Sequence, residues 1–180
     1  MKVCSNFMKS YVLPPKDFSK IANISHNMGA DIIYIVDSAG GMIPLEIENF
    51  YNEIKSINDK IKIGFHGHNN LGFAVSNAYE SVKLNFDVVD ASLQGYWRSA
   101  GNTAIELLVC ALKKNKIKCK IDYLKILDLS EEILLKFIET KGIKSIDAVC
   151  GMSLFHSSYL PIIEKYSKIY KVDPRLLVYE

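Results

Sequence analysis

The sequence predicts an α/β fold built from parallel βα units, and three observations carry that prediction. Four short runs rich in β-branched residues recur along the first two-thirds of the chain, roughly 25 to 30 residues apart. Each run is nearly continuous in apolar residues rather than alternating, the pattern of a strand covered on both faces. Between the runs lie segments with apolar residues at helical spacing, and strand–helix alternation of this kind specifies a parallel sheet.

The elements follow in order. A first strand run, Lys2–Met8, leads to a helical stretch over Pro15–Met28 with Phe18, Ile21, Ala22, Ile24 and Ser25 at helical spacing. Pro15 sits in its first turn, where a missing N–H is harmless. The run Asp31–Asp37, "DIIYIVD", is the clearest strand, bounded by Gly29 before and by Gly40 and Gly41 after. A second helix over Pro44–Ile57 carries Ile47, Phe50, Tyr51 and Ile54 on one stripe. The third pair is a strand at Lys62–His66 and a helix at Leu71–Leu84 with Val75, Ala78, Tyr79 and Val82. The fourth is a strand at Asp87–Ser92 and a helix starting near Thr103, with Ile105, Leu108, Val109 and Leu112; Thr103 and Glu106 have the spacing of a capping box.

After Lys116 the pattern changes. Ile121–Lys141 and Ser158–Lys171 read as helices, with Leu124, Ile126, Leu127, Ile133, Leu134 and Phe137 as apolar positions. The expected division is four βα units over residues 1–116 and a small C-terminal helical domain over 117–180, with basic Lys113–Lys120 at the boundary. A doubly wound open sheet and a piece of a closed (β/α)8 barrel share this pattern. A closed barrel needs eight strands and about 250 residues, so four units amount to half of one.

Composition narrows the function classes. The chain has 180 residues, 49% hydrophobic and 23% charged, with 22 basic against 20 acidic side chains, which fits a globular protein and not a disordered one. No apolar run approaches the roughly 18 residues of a membrane span, and no N-terminal stretch reads as a secretion signal. The net charge of +2 gives no electrostatic footprint for nucleic acid. The expected setting is therefore the cytoplasm, with neither a membrane nor a nucleic acid as partner. Cys4, Cys110, Cys119 and Cys150 form no C-x-x-C pair and read as reduced, mostly buried thiols rather than zinc ligands.

Candidate chemistry gathers at the strand ends. Phe65-His66-Gly67-His68-Asn69-Asn70 closes the third strand run, and histidines two apart on a strand face the same way. Such a pair either binds a divalent ion, completed by a carboxylate from elsewhere, or bonds to neighbouring carbonyls. Asp37-Ser38-Ala39-Gly40-Gly41 ends the second run; its carboxylate and hydroxyl either act on substrate or cap the following loop. Asp90 to Gly95 ends the fourth run, followed by Arg98 and by Gly101-Asn102 ahead of a helix start, a possible anion site. Arg98 either pairs with a carboxylate through two parallel bonds or belongs to a solvated loop with Asn102 or Thr103 as a cap, and the loop is the better reading. No Walker loop, dinucleotide fingerprint or serine nucleophile elbow is present.

Taken together, "NFMKSYVLPP", "GADIIYIVDSAGGM", "GFHGHNNLGFAVSNAYESV" and "VVDASLQGYWRSAGNTAIELLVCAL" follow one another as in the DRE-TIM metallolyase (HMG-CoA lyase-like) superfamily. Within it the chain most resembles the 4-hydroxy-2-oxovalerate aldolases, including the tail around "LFHSSYL". The resemblance implies the last four strands of a TIM barrel, and an aldolase that cleaves a 4-hydroxy-2-oxo acid to pyruvate and an aldehyde in aromatic catabolism. It places a divalent metal on His66 and His68, manganese first and magnesium or cobalt next, and sets Ser38 against the pyruvate unit of a small 2-oxo acid. The metal's role would be that of a Lewis acid on the keto oxygen.

The chain departs from that family in two ways. The aspartate of an R-D-G-type motif that completes the family's metal site, with its neighbouring arginine and histidine base, has no counterpart here. A family tyrosine near the tail is matched by His156, to which a proton-transfer role carries over in altered form. Four parallel strands alone would leave two open edges and an uncovered apolar inner face. The expectation is thus a separately encoded N-terminal half-barrel partner, a fragment of a longer product, or a decayed copy. The resemblance also implies an acylating aldehyde dehydrogenase as partner. The rival readings are a Claisen-type acyltransferase of the isopropylmalate or homocitrate synthase kind, and an inactive truncated remnant acting only as a binding module.

Overall fold

The computed structural model describes residues 1–132, 136 and 145–179. Four strands, β1 (Cys4–Phe7), β2 (Ile32–Asp37), β3 (Lys62–Gly67) and β4 (Val88–Val89), lie in sequence order in one sheet. Every neighbouring pair is parallel, and β2 and β3 pair along their whole length, from Ile32 opposite Lys62 to Asp37 opposite Gly67. The helices α1 (Pro15–Asn27), α2 (Pro44–Ile57), α3 (Ala74–Lys83) and α4 (Ile105–Lys114) each follow a strand.

Period-two geometry divides the central strands between two environments. Ile33, Ile35, Ile63 and Phe65, all fully buried, form one core with Phe18 and Ala22 of α1, Ile47, Phe50 and Ile54 of α2, Ala78 of α3, and Leu108 and Leu112 of α4. Burying each large side chain contributes about 1.5–3 kcal/mol, so this layer holds the sheet to its helices. A relay of edge-to-face rings, Phe7 to Phe18 at 5.6 Å and Phe18 to Phe50 at 5.2 Å, ties the edge strand into it.

The opposite face carries Ile32, Tyr34 and Val36, with Val88 beside them. Here the expected uncovered inner face is corrected for the central strand: all three β2 residues are buried, whereas Cys4 of β1 is exposed and Val88 half-buried. The Tyr34 ring lies over Gly64, where a side chain's first carbon would come within 2.7 Å of it, and the tyrosine hydroxyl reaches on to Asp90.

The open edges do exist. Along β1 a groove of about 560 Å³ is lined by Val3, Phe7, Ile21, Ile24 and Met28. Ile21 and Ile24, expected on the inward stripe of the first helix, are therefore exposed along this edge. Along β4 a cleft of about 670 Å³ is lined by Val89, Ile105, Leu108, Trp97 and Ile121.

Other boundaries shift for local reasons. β4 stops after two residues because the chain turns toward Thr103, whose carbonyl accepts the Ser92 N–H at 3.0 Å. The capping box does not form. Helix α4 starts at Ile105, the Thr103 hydroxyl donates to the Ala74 carbonyl, and the Glu106 carboxylate accepts from the Gln94 N–H.

The tail consists of α5 (Tyr123–Glu132), α6 (Ser145–Met152), α7 (Leu160–Tyr170) and α8 (Pro174–Tyr179). The helix expected over Ile121–Lys141 is described as far as Glu132; Ile133, Leu134 and Phe137 lie outside the described residues. Ser157–Tyr159 forms a short 3₁₀ turn ahead of α7. No helix among the described residues is long and apolar enough to cross a membrane.

Candidate metal and substrate site at the strand ends

His66 lies near the end of β3 and His68 just beyond it, with ring centroids 5.5 Å apart. The Nδ1 of His66 is 3.2 Å from Asp90 Oδ2, and the Tyr34 hydroxyl donates to Asp90 Oδ1 at 3.1 Å. An ionised carboxylate only accepts hydrogen bonds, so Nδ1 of His66 carries the proton that bonds it, and the neutral ring has its lone pair on Nε2. A carboxylate behind an imidazole in this way is the usual support of a metal-ligating histidine.

His68 is fixed through its backbone, whose N–H donates to the Asp37 carbonyl at 3.1 Å. Its ring is buried, and its Nδ1 has no hydrogen-bond partner among the described residues. Burial, with the nearby His66, Arg98 and His156, pushes its pKa down to about 4, so the ring is neutral at neutral pH. A neutral imidazole with an orphaned buried nitrogen, beside a second imidazole with a free lone pair, fits a divalent transition ion. The pair supplies two donors only. Among the described residues no three histidine, cysteine, aspartate or glutamate side chains converge as a ligand set.

The loop after β2 is shaped by Asp37, whose carboxylate accepts from Gly41 N at 3.1 Å and Met42 N at 2.9 Å. Burial outweighs those two bonds and pushes its pKa up to about 6. Asp37 thus takes the loop-capping role left open for it. Gly40 packs so closely on the Asn70 backbone that a side chain would come within 2.5 Å, and its φ of +65° suits glycine. Ser38 is buried and its Oγ accepts the Lys9 N–H at 3.0 Å, which leaves its own proton free to donate. Lys9, at the end of β1, sits in the left-handed region at φ 59°.

The tail brings in His156. Arg98 donates from Nη2 to His156 Nε2 at 2.9 Å. A guanidinium has no acceptor, so the His156 proton lies on Nδ1 and donates to Ser158 Oγ at 2.6 Å. With that proton in place, the Ser158 N–H that approaches the same nitrogen at 3.3 Å is a contact and not a bond. Burial, Arg98 and Lys9 together push the His156 pKa down. The expectation that Arg98 belongs to a purely solvated loop is corrected: the residue is exposed, but its guanidinium is engaged by the tail.

The expected anion site at Gly101-Asn102 is also corrected. The N–H groups of Gly101, Asn102 and Thr103 are spent on the carbonyls of Arg98, Gly95 and Gly67, so none is left to face a ligand.

The tail is held by a polar knot. Asn70 Nδ2 donates to Ser99 Oγ and to the Asp147 carbonyl, and Ser99 donates to Asp147 Oδ1 at 2.6 Å. His66, His68, Ser38 and His156 are all placed on this rim. Sequence reasoning missed Asp90 as the partner of His66, the Arg98–His156 contact and the Asp147 anchor. Asp90 carried a signal, as the head of D-A-S-L-Q-G, and Arg98 is one of two arginines in the chain. Asp147 had none.

Parallel strands with chemically competent side chains collected at their C-terminal ends, under a helical tail, define a block of (β/α) units of the TIM-barrel kind. The chain belongs to the HMGL-like family, which it matches over residues 1–133. It is 34% identical over 177 residues to a 4-hydroxy-2-oxovalerate aldolase of Thermus thermophilus, covering 96% of this chain and 50% of that protein. The chain thus spans about half the length of the curated relatives it matches.

Among solved structures, the carboxyl transferase domain of Rhizobium etli pyruvate carboxylase with 3-bromopyruvate matches with TM-score 0.74 and 17% identity, over 99% of this chain and 32% of that one. HMG-CoA lyase of Bacillus subtilis matches with TM-score 0.65 and 21% identity, over 82% of this chain and 53% of that one. These two likenesses show the fold.

Proposed function

We propose that this chain is the C-terminal part of a divalent-metal-dependent aldolase that cleaves a 4-hydroxy-2-oxo acid to pyruvate and an aldehyde in the cytoplasm. Residues 1–116 would form the half-barrel and 117–180 the helical domain. One observation carries the reading: two imidazoles 5.5 Å apart, one backed by a carboxylate and the other neutral with an orphaned nitrogen, in a chain related to aldolases of that name. His66 and His68 would hold the metal, manganese first and magnesium or cobalt next. When bound, the metal supplies Lewis-acid stabilisation of a developing enolate.

The chain's own residues do the remaining work. Asp90 keeps His66 in the tautomer that leaves Nε2 available. Ser38, held by the Lys9 N–H, turns its proton toward the pyruvate unit. His156, neutral and with its proton on Nδ1, accepts a proton at Nε2 once that atom is released. Both sheet edges are lined with the apolar side chains that further βα units cover, which supports an N-terminal half-barrel partner supplying the missing carboxylate. The aldehyde would pass to an acylating aldehyde dehydrogenase.

The test is co-expression with an N-terminal half-barrel chain, followed by metal analysis and by assay of pyruvate release. One equivalent of metal and metal-dependent cleavage are expected, both lost in His66→Ala with the far-UV circular dichroism unchanged. Full cleavage by His66→Ala overturns the metal assignment. Consumption of acetyl-CoA with a 2-oxo acid would instead show Claisen-type chemistry.

A further inference from the structure

We propose that Arg98, flanked by Lys9 and His156, is a carboxylate-binding subsite, and that a bound carboxylate takes the guanidinium from His156 and thereby frees the imidazole Nε2. The assignment of that carboxylate to a 2-oxo acid rests on the aldolase reading above; the subsite itself rests on geometry.

Three separate parts of the chain converge here. Arg98 comes from the loop after β4 and reaches His156 of the tail at 2.9 Å. Lys9 comes from the end of β1, and its Nζ lies 5.1 Å from the centre of the Tyr159 ring, which is 6.2 Å from the His156 ring. Arg98 and His156 lie close enough to His68, and Lys9 close enough to His156, to push those imidazoles' pKa values down, so the group borders His68.

The charges do not balance. Two fixed cations face imidazoles that burial keeps neutral, and among the described residues neither Arg98 nor Lys9 has an ion-pair partner. The nearby carboxylates are committed elsewhere, Asp37 to its loop, Asp90 to His66 and Tyr34, and Asp147 to Ser99. A guanidinium resting on a neutral nitrogen makes a single bond. A carboxylate offers two parallel bonds and an opposite charge where the neutral nitrogen offers one bond and no charge, so the exchange is favourable. Arg98 is exposed and reaches an incoming anion without rearrangement of the core. Anion binding and the release of a proton acceptor then become one event, with no titration needed.

The experiment uses the purified 180-residue chain with a chelator present and no added metal. Pyruvate and 2-oxoglutarate are titrated in turn. The readouts are the emission of Trp97, the only tryptophan and the neighbour of Arg98, and the ¹⁵N signal of His156 Nε2. Saturation in the millimolar range is expected, with Nε2 moving toward the shift of an unbonded acceptor.

Arg98→Met should weaken binding about tenfold, Lys9→Met about threefold, and Arg175→Met not at all, with circular dichroism confirming that each variant is folded. Equal affinity for the two probes assigns the site to the 2-oxo acid's own carboxylate; several-fold tighter binding of 2-oxoglutarate assigns it to a second, distal carboxylate. Unchanged affinity in Arg98→Met, or no saturable response to either probe, overturns the proposal. Anion binding without metal-dependent cleavage in the assembled protein would sink the aldolase reading and leave the subsite standing.

Discussion

Gly41→Ala tests how the tail is seated on the strand-end rim. A Cβ at Gly41 would lie 2.2 Å from the Gly151 carbonyl oxygen in α6 and 2.9 Å from Leu154 Cδ2. Carbon–oxygen contacts settle near 3.3 Å, so the helix must retreat by roughly 1 Å. The obstructing atom is a helix carbonyl, which cannot rotate aside as a side chain would. Overpacking of this kind costs about 1–3 kcal/mol, and the middle of that range corresponds to about thirtyfold in the docking equilibrium. The Gly41 N–H that serves Asp37 survives the substitution, so the loop after β2 keeps its own bonds.

Hydrogen exchange read residue by residue is the assay. Protection of Val149–Met152 should fall about thirtyfold while Ile33 and Ile35 in the sheet stay within about twofold. The Asn70–Ser99–Asp147 knot should loosen with α6, and the Arg98–His156 contact should go with it. Unchanged protection in α6 would refute the steric reasoning. An equal loss in β2 would show that the damage spreads through the sheet and is not confined to the tail's seat.

Two further outcomes can be measured. If the assembled protein holds manganese as proposed, Asp90→Asn, which removes the carboxylate behind His66, should weaken that binding about 10- to 100-fold, read by electron paramagnetic resonance of free Mn²⁺; unaltered affinity would remove Asp90 from the site. Cys4 and Cys119 are exposed and should react first with a disulfide reagent at pH 8. Cys150, buried and pushed up to about 11, stays a protonated, inert thiol until the chain unfolds; prompt labelling there would contradict the packing of α6. Cys4 belongs to β1 and Cys119 lines the β4 cleft, so assembly with a half-barrel partner should protect both together.

The fold was legible where a residue's local pattern and its tertiary role agree. β2 is a nearly continuous apolar run buried at every position, because both its faces are covered, and the sequence shows that directly. Ile21 and Ile24 follow the same helical stripe as Phe18 and Ala22, yet they are exposed. Periodicity reports which residues share a helix face, and it does not report where the sheet ends. The expectation of mostly buried thiols failed for the same reason, since Cys4 and Cys119 both lie at an edge. Thr103 and Glu106 had the spacing of a cap, but both were drawn into longer-range bonds with Ala74 and Gln94 that no local pattern encodes. Of the site, His66 and His68 were visible as an i, i+2 pair. The Arg98–His156 contact spans 58 positions and depends on a tail helix whose anchor, Asp147, sits among small and apolar residues with nothing to mark it.

The site's components differ in what fixes them. His66 hangs on β3, and the Ser38 loop on β2, strands with a neighbour on each side; His68 is fastened to the Asp37 carbonyl of β2. Their positions follow from pairings within this chain, so the proposed partner would add a ligand to the imidazole pair and would not create it. Lys9 follows β1, and Asp90 and Arg98 follow β4, each an edge strand with one neighbour. Covering those edges would act first on Lys9 and Arg98. Assembly should therefore change the affinity for carboxylates more than it moves the two imidazoles, because the cations stand on the strands whose free sides the partner would fill.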